Sequence, residues 1–289
     1  MQWIIKYLTS SIGKKQMMGC TGAILALFIL GHMAGNFQLL NPDPVAAQAS
    51  YNIYSELLTK SKAFLYSIEF VLGAVLLAHV FLAISLKRQN LKARGKIDYD
   101  VNARKGKKTF ASFTMIWSGL FVFAFVIWHL KSLKYGEYFY YQSADVAGGA
   151  VVRDMWLTTV IAFSDIKFMI FYVVSMFIIG LHLFHAIASA FQTFGIAHQK
   201  WTPFIEKLGM LYSVVIAIGF SVIAIGCYVL AHKPETQNLI RNSHNLQQQL
   251  EQEKQQQEKT KLEENAKKTS FVLPASGLQV SFADVKGGF

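Results

Sequence analysis

The chain has 289 residues, of which 53% are hydrophobic and 16% are charged, with two cysteines and a formal net charge of +11. A hydrophobic share above roughly 45–50% argues against a soluble enzyme, and two cysteines exclude a disulfide framework and a cysteine-rich zinc or iron–sulfur site. The basic residues crowd beside apolar segments, so we interpret the charge as membrane topology and contact with anionic lipid, with no nucleic-acid partner.

Five apolar windows are each long enough for a helix to cross a bilayer core about 30 Å thick. They predict transmembrane helices over about 17–40, 64–86, 110–133, 163–190 and 208–232. The first window is too long for the apolar region of a signal peptide, so it is predicted to be a retained helix. We therefore expect an all-α integral membrane protein whose membrane domain is 1–233.

The basic residues of the connectors predict which way the spans run. Lys and Arg are concentrated before span one, between spans two and three and between spans four and five, and nine of them lie in 87–108 alone. The connectors 41–63 and 134–162 together hold only four, balanced by acidic residues. Because cytoplasmic loops carry the excess of Lys and Arg, the N-terminus is predicted inside and the C-terminus outside.

Beyond span five, the segment 234–289 is predicted to be a separate polar tail. Gln, Glu, Lys and Asn dominate it from about 236 to 268. Such a composition cannot bury a core of its own, although it favours an exposed helix. The sequence predicts no function for this tail.

Five of the eight histidines fall inside the predicted spans. A polar side chain within a bilayer is costly, faces the bundle interior and is a candidate for function. In the predicted orientation, His32 and His129 lie in the outer half of the membrane. The other three, His79, His182 and His185, lie in the inner half.

Two facing imidazoles at equal depth on different helices are what a six-coordinate haem iron requires. The predicted depths provide that arrangement twice, once near each side of the membrane. Since two axial histidines leave no coordination position for oxygen, such haems carry electrons. We therefore predict a bundle of five transmembrane helices that holds two b haems.

Other uses of intramembrane histidines remain open. A single one often only hydrogen-bonds a neighbouring helix, and a metal transporter would add carboxylates or thiolates, of which the spans contain few. Small residues flank two of the histidines and would leave room for a macrocycle, or would simply pack helices. These small residues are Gly31 and Gly35 beside His32, and Gly180 and Ala186 beside His182.

The histidines belong to short motifs: Gly31-His32-Met33-Ala34-Gly35-Asn36, Trp128-His129, and Gly180-Leu181-His182-Leu183-Phe184-His185 followed by Ser189-Ala190-Phe191-Gln192-Thr193-Phe194-Gly195, with Ser11-Ile12-Gly13-Lys14-Lys15 before span one. In their order, depth and five-span frame, these motifs resemble the single-chain dihaem cytochrome b subunit of succinate:quinone oxidoreductase and quinol:fumarate reductase, respiratory complex II. The resemblance covers about residues 1–232.

The resemblance implies axial ligands for both haems. It pairs His32 with His129 for the outer haem, and His79 with a span-four histidine for the inner haem. In related chains that histidine stands about a dozen residues before an aromatic-glycine pair, and His182 has this spacing to Phe194-Gly195. The resemblance therefore implies His182 as the ligand, and His185 as an alternative ligand or a contact of a haem propionate.

The resemblance also implies the function of a membrane anchor and electron-transfer subunit of succinate dehydrogenase or fumarate reductase. Electrons would pass between an iron–sulfur subunit and a membrane quinone, menaquinone or ubiquinone, through the two haems. FAD and iron–sulfur clusters would lie only in the partner flavoprotein and iron–sulfur subunits, on the cytoplasmic face of a bacterial inner membrane. Succinate chemistry is thus expected in the partner subunits, and the quinone reaction is expected in this chain. Whether the whole complex forms an oligomer is left open.

The quinone site is not identified by the sequence. Glu56 near the outer face and Glu69 within span two are candidate acids, and the alternatives are a solvated loop carboxylate and a bond to a neighbouring helix. Two alternative functions also stay open. They are the b-type cytochrome subunit of a nitrate reductase or formate dehydrogenase, and a helix bundle that transports a non-haem metal.

Overall fold

The computed structural model describes residues 2–94, 110–196 and 198–271, and nearly all of them are helical. The α-helices among them are α1 Gln2–Thr9, α2 Ser11–Asn36, α3 Pro44–Thr59, α4 Lys62–Arg94, α5 Phe110–His129, α6 Met155–Ala162, α7 Ile166–Thr193, α8 Thr202–Ala231 and α9 Pro234–Phe271. A π-helical turn, Leu130–Lys134, follows α5, and an antiparallel pair of strands joins β1 Tyr140–Tyr141 to β2 Val152–Arg153. Positions 95–108 of the predicted basic connector lie outside the described residues.

Five helices, α2, α4, α5, α7 and α8, are long and apolar enough to cross a membrane. They overlap the five predicted spans, so the prediction of an all-α, multi-pass membrane architecture is confirmed. Large apolar side chains such as Leu27, Phe70 and Phe177 remain exposed on these helices. In a bilayer, lipid tails receive such side chains, which therefore need no protein partner.

Side-chain caps determine where two of the membrane helices begin. The hydroxyl of Ser10 accepts a hydrogen bond from the backbone N–H of Gly13 at 3.1 Å, at the start of α2. The carboxylate of Asp165 accepts from the backbone N–H of Lys167 at 2.8 Å, at the start of α7. Each cap satisfies a backbone donor that the first helical turn leaves without a partner.

Small residues allow α8 to approach its neighbours closely. A Cβ added at Gly180 of α7 would lie 3.0 Å from the Cβ of Ala217 in α8. A Cβ added at Gly219 of α8 would lie 2.3 Å from the sulfur of Met33 in α2. The packing of α8 against α7 and α2 is thus of the small-residue type common in membrane bundles. By contrast, α4 and α5 touch each other at few positions.

The connectors 41–61 and 135–165 meet in a layer that contains α3, β1, β2 and α6, here called the connector layer. The fully buried carboxylate of Asp154 holds it together. Asp154 accepts hydrogen bonds from Gln48 Nε2 at 2.5 Å and Asn52 Nδ2 at 2.9 Å, both in α3. It also caps α6 by accepting from the backbone N–H of Leu157 at 2.8 Å. One side chain therefore joins the connector after α2 to the connector before α7.

The chain forms two compact units, Met1–Ser243 and a second that begins at His244. Within the first unit, the hydroxyl of Thr236 donates to the carbonyl of Leu230 at 2.7 Å, and the hydroxyl of Ser243 accepts from the backbone N–H of Tyr140 at 2.8 Å. The side chain of Leu239 is buried between these two contacts in sequence. The first unit thus includes ten residues beyond 233, where the sequence predicts the domain boundary.

Candidate functional site

The structure brings together His32 of α2 and His129, the last residue of α5. Their ring centroids are 5.9 Å apart and their planes stand at 88°. Two metal–nitrogen bonds of about 2 Å in line, with about 1 Å more from each nitrogen to its ring centre, separate two axial imidazole centroids by about 6 Å. The spacing of His32 and His129 therefore fits a metal ion held between the rings.

Polar neighbours from α2 and the connector layer surround His32. The side-chain amide of Asn36 lies 3.4 Å from both ring nitrogens of His32 and donates to the His32 carbonyl at 2.7 Å. The amide oxygen of Asn36 accepts from the Tyr51 hydroxyl at 3.0 Å. Burial raises the pKa of Tyr51 above its ordinary value, so the hydroxyl keeps its proton and stays a donor. Asn36 thereby links α3 to His32.

A hydroxyl pair from α7 and the π-helical turn orients His129. The Tyr172 hydroxyl lies 3.3 Å from His129 Nδ1 and 3.2 Å from the Ser132 hydroxyl. Ser132 donates to the carbonyl of Trp128 at 2.8 Å, so its oxygen can accept the proton of Tyr172. The Tyr172 oxygen can then accept from His129 Nδ1–H, and that tautomer leaves Nε2 as the ring nitrogen available to a metal.

Arg153 of β2 caps the π-helical turn that follows His129. Its Nη1 donates to the carbonyl of Lys134 at 2.5 Å, and its Nη2 donates to the carbonyls of Leu133 and Glu137, each at 3.1 Å. Burial lowers the pKa of Arg153, but an arginine stays charged throughout the physiological range. The guanidinium thus satisfies backbone carbonyls at the end of the helix that carries His129.

His79 of α4 and His182 of α7 each have a hydroxyl group within hydrogen-bond distance of Nδ1. Thr21 Oγ1 lies 3.0 Å from His79 Nδ1, and Ser118 Oγ lies 3.1 Å from His182 Nδ1. Both hydroxyls donate to carbonyls of their own helices, Thr21 to Met17 at 3.0 Å and Ser118 to Met115 at 3.1 Å. Each hydroxyl oxygen is therefore free to accept from Nδ1–H, which leaves Nε2 of both imidazoles with a lone pair.

Thr21 and Ser118 are each followed by a glycine, and the absence of a side chain there makes room for the imidazole ring. A Cβ added at Gly22 would lie 3.2 Å from His79 Cε1, and one at Gly119 would lie 3.1 Å from His182 Cε1. The two imidazoles are close enough that a charge on one would act on the other. His79 packs against α2 in the same way as His182 packs against α5, each beside a hydroxyl and a glycine of that helix.

The two pairs lie at different levels of the same helices. Gly22 and His32 are ten positions apart in α2, as are Gly119 and His129 in α5. At 1.5 Å per residue, ten positions span about 15 Å along a helix. The pair His32–His129 and the pair His79–His182 are therefore separated by about 15 Å in the helix direction.

The other predicted site residues have contacts of their own. His185 contacts the ring of Phe184, with centroids 5.0 Å apart. Glu69 forms an ion pair with Lys134, at 2.5 Å between Oε1 and Nζ, and both side chains are about one-third exposed. Glu56 is half-buried in α3, where its carboxylate lies 3.5 Å from the Thr59 hydroxyl.

The contacts favour one of the two roles left open for Gly35 and Gly180, and they identify residues that the sequence analysis missed. Gly35 admits the hydroxyl end of Tyr54, and Gly180 admits Ala217, so both pack protein against protein instead of leaving room for a macrocycle. The glycines that face histidines are Gly22 and Gly119. Their signal was present as a repeat: Thr21-Gly22 precedes His32 by nine intervening residues, and Ser118-Gly119 precedes His129 by the same nine.

Within the described residues, no group of three or more His, Cys, Asp or Glu side chains is positioned to hold a metal ion. The histidines that converge do so in twos, from helices that face one another. A pair of imidazoles supplies the two axial ligands of a haem, whose other four ligands belong to the macrocycle itself. The spacing of His32 and His129 therefore fits the axial ligands of a haem, and His79 and His182 are of the ligand type that a second haem takes.

Comparison of the chain with models of known protein families, with curated proteins and with solved structures gives no match.

Proposed function

We propose that this chain is the membrane anchor and electron-transfer subunit of a succinate dehydrogenase or fumarate reductase. In this proposal it passes electrons between an iron–sulfur subunit and a membrane quinone by way of two b haems. The observation that carries the proposal is the pair of histidine levels, about 15 Å apart along α2 and α5. At each level, two imidazoles come from different helices of the bundle.

The roles of the chain's own residues follow from their contacts. When bound, each haem would supply one-electron transfer at an iron that its six ligands close to oxygen. His32 and His129 would hold one haem, and His79 and His182 the other. Thr21, Ser118 and Tyr172 would fix the imidazole tautomers by accepting from Nδ1–H, because a protonated Nδ1 leaves the lone pair of Nε2 to a metal.

His182 is proposed as the span-four ligand in preference to His185. The hydroxyl of Ser118 lies beside Nδ1 of the His182 ring, and a Cβ added at Gly119 would meet the same ring. His79 has the same two kinds of neighbour, Thr21 and Gly22. This equivalence supports His182 as the partner of His79, whereas His185 would tune the site from a neighbouring position.

The orientation, location and partners belong to the same proposal. The excess of Lys and Arg between α4 and α5 supports a cytoplasmic position for that connector. The connector layer would then face outward, in a bacterial cytoplasmic membrane, and the His79–His182 pair would lie nearer the flavoprotein and iron–sulfur subunits. Glu56 and Glu69 stay predictions for the quinone site. Lys134 would neutralise Glu69, so Glu56 is the better candidate for a proton donor.

Haem content of the purified chain tests the proposal. A pyridine haemochrome assay should give two b haems per chain, His182→Ala should remove one, and His185→Ala should keep both with an altered redox potential. A chain without haem would overturn the proposal and favour a metal transporter. Co-purified FAD with haem that succinate reduces would separate complex II from nitrate reductase and formate dehydrogenase.

A further inference from the structure

Helix α1 is amphipathic and its apolar side is uncovered. At 3.6 residues per turn, its five large apolar residues fill an arc of about 200° and its three polar residues fill the rest. All five are exposed, Trp3 to 73% and Ile5 to 63%. The apolar residues are Trp3, Ile4, Ile5, Tyr7 and Leu8, and the polar residues are Gln2, Lys6 and Thr9.

A tight corner holds α1 at the start of α2. The carbonyl of Tyr7 accepts from the backbone N–H of Ser10 at 3.0 Å and from the Ser10 hydroxyl at 2.6 Å. A Cβ at Gly13 would lie 2.2 Å from this carbonyl, so only glycine permits the approach. The Tyr7 hydroxyl also bonds the side chain of Gln16 in α2. The apolar arc of α1 is therefore held in one direction relative to a membrane-length helix.

From these observations we infer that α1 lies in the membrane interface, with its apolar arc against the lipid and its lysine toward the headgroups. This inference rests on the membrane fold and not on the haem assignment. Three features identify lipid as the occupant. The arc adjoins the start of α2, where α2 itself has exposed apolar side chains such as Ile12. Trp is favoured at membrane interfaces. Lys6 and Lys15 suit anionic headgroups.

The alternative occupant is a protein surface, and the polar face of α1 argues against it. Lys6 lies at the edge of the apolar arc, where its aliphatic stem can cover apolar surface while the ammonium reaches the headgroups. A protein interface of this kind is usually depleted of lysine at its core. Lipid accepts both parts of this side chain without a matched partner.

Trp3 fluorescence in the full-length protein tests the inference. The signal of Trp3 is the difference between wild type and Trp3→Phe, each reconstituted with its bound partners in phosphatidylcholine–phosphatidylglycerol vesicles. Lipids with brominated acyl chains should quench this difference signal roughly twofold or more, and aqueous iodide should leave it largely unchanged. Quenching by iodide alone would place α1 in water, and protection from both quenchers would place it under protein; either result overturns the inference.

A matched pair of variants tests which face binds lipid. Ile5→Glu places a charge within the apolar arc and should reduce quenching of Trp3 by brominated lipid roughly twofold or more, because a carboxylate is expelled from the acyl region. Gln2→Glu places the same charge on the polar side and should leave the quenching unchanged. Equal effects of the two variants would contradict the assigned faces. Haem content, measured in the same samples, reports separately on the proposed function.

Discussion

Asn52 and Asp154 lie 102 residues apart in the sequence and are bonded to each other in the buried centre of the connector layer. Asn52 Nδ2 donates to Asp154 Oδ1 at 2.9 Å, while Asn52 Oδ1 accepts from the backbone N–H of Met155 at 2.9 Å. Asn52 therefore donates a hydrogen bond to the carboxylate and accepts one from a backbone N–H in the first turn of α6. Loss of its side chain would leave these buried groups unpaired.

The stability of the connector layer should fall as the pH rises through the titration of Asp154. Burial, the largest cause, raises the pKa of Asp154 above its usual 3.8, although its hydrogen bonds from Leu157, Asn52 and Gln48 oppose the shift. Between the usual and the raised pKa the folded protein binds a proton that the unfolded chain has lost, so unfolding becomes easier as the pH increases across that interval. Thermal unfolding in detergent from pH 3.5 upward measures this slope.

Two substitutions at Asp154 distinguish charge from capping. Asp154→Asn should abolish this part of the pH dependence at modest cost, because a reoriented Gln48 amide can still pair with it. Asp154→Ala should lower stability by about 2–4 kcal/mol, since the α6 cap and two amide partners are lost together. Equal melting of the two variants would show that the hydrogen bonds contribute little.

Removing the hydroxyl beside His79 or His182 should weaken binding of the haem proposed for that pair and leave the other proposed haem unchanged. Thr21→Val and Ser118→Ala each delete the acceptor at Nδ1, and we expect about 10–100-fold weaker retention of the His79–His182 haem with a shifted potential. Thr21→Ser should restore wild-type behaviour. Ser221→Ala is the control, because that hydroxyl donates to the carbonyl of Ala217 within its own helix. Redox titration with electron paramagnetic resonance separates the two haems.

Tyr172→Phe should shift the redox potential of the haem proposed for His32 and His129. It deletes the hydroxyl near His129 Nδ1 while keeping the ring that packs against Phe125 and Phe163. A shifted potential is expected for the His32–His129 haem alone. Tyr212→Phe provides the control, because the Tyr212 hydroxyl donates to the backbone carbonyl of Ala26 instead of a histidine. A response of both haems to Tyr172→Phe would contradict the assigned contact.

Gly219→Ala should destabilise the bundle, whereas Gly73→Ala should not. The new Cβ at position 219 would lie 2.3 Å from the Met33 sulfur, whereas a Cβ at position 73 would meet no described atom within 4 Å beyond the local backbone of its own helix. Overpacking costs about 1–3 kcal/mol, against a gain of about 1 kcal/mol in helix propensity that both variants share. Thermal unfolding in one detergent compares them, and a common shift in the two variants would argue against close packing of α8 on α2.

Truncation should locate the end of the first compact unit. A chain that ends after Ser243 keeps the buried Leu239 and the bond from Tyr140 to Ser243, so its thermal midpoint should match that of the full chain. A chain that ends after Lys233 loses these contacts and should be less stable by about 2–4 kcal/mol. If both truncations melt alike, residues 234–243 add nothing to the unit.

The membrane helices could be predicted from the sequence because the length of an apolar run is itself the physical requirement for crossing a bilayer. The connector layer could not, since α3 and α6 are short and owe their stability to partners more than 100 residues away, such as Asn52 and Asp154. The separate helix α1 was likewise not predicted, because the corner at Ser10 and Gly13 depends on a close backbone approach.

The histidines of the candidate site were predictable because polar groups are rare within apolar spans. Their partners were not, since Thr21 and Ser118 look like ordinary hydroxyl residues of a membrane helix, which bond their own backbone. Only the matching spacings of Thr21-Gly22 to His32 and of Ser118-Gly119 to His129 distinguish them. A search for that repeat between spans one and three would have identified both glycines.

The repeat in α2 and α5 has a consequence for biogenesis. Each proposed haem takes one ligand from the first two membrane helices and one from the next two, His32 with His129 and His79 with His182. A nascent chain in which only α2 and α4 have entered the membrane has one imidazole for each proposed haem, His32 for one and His79 for the other. Stable insertion of the haem proposed for His32 and His129 must therefore wait for α5, and that of the haem proposed for His79 and His182 must wait for α7. Retention of both haems would then report that both halves of the bundle have assembled, and a chain stalled before α7 would reach quality control without the second haem.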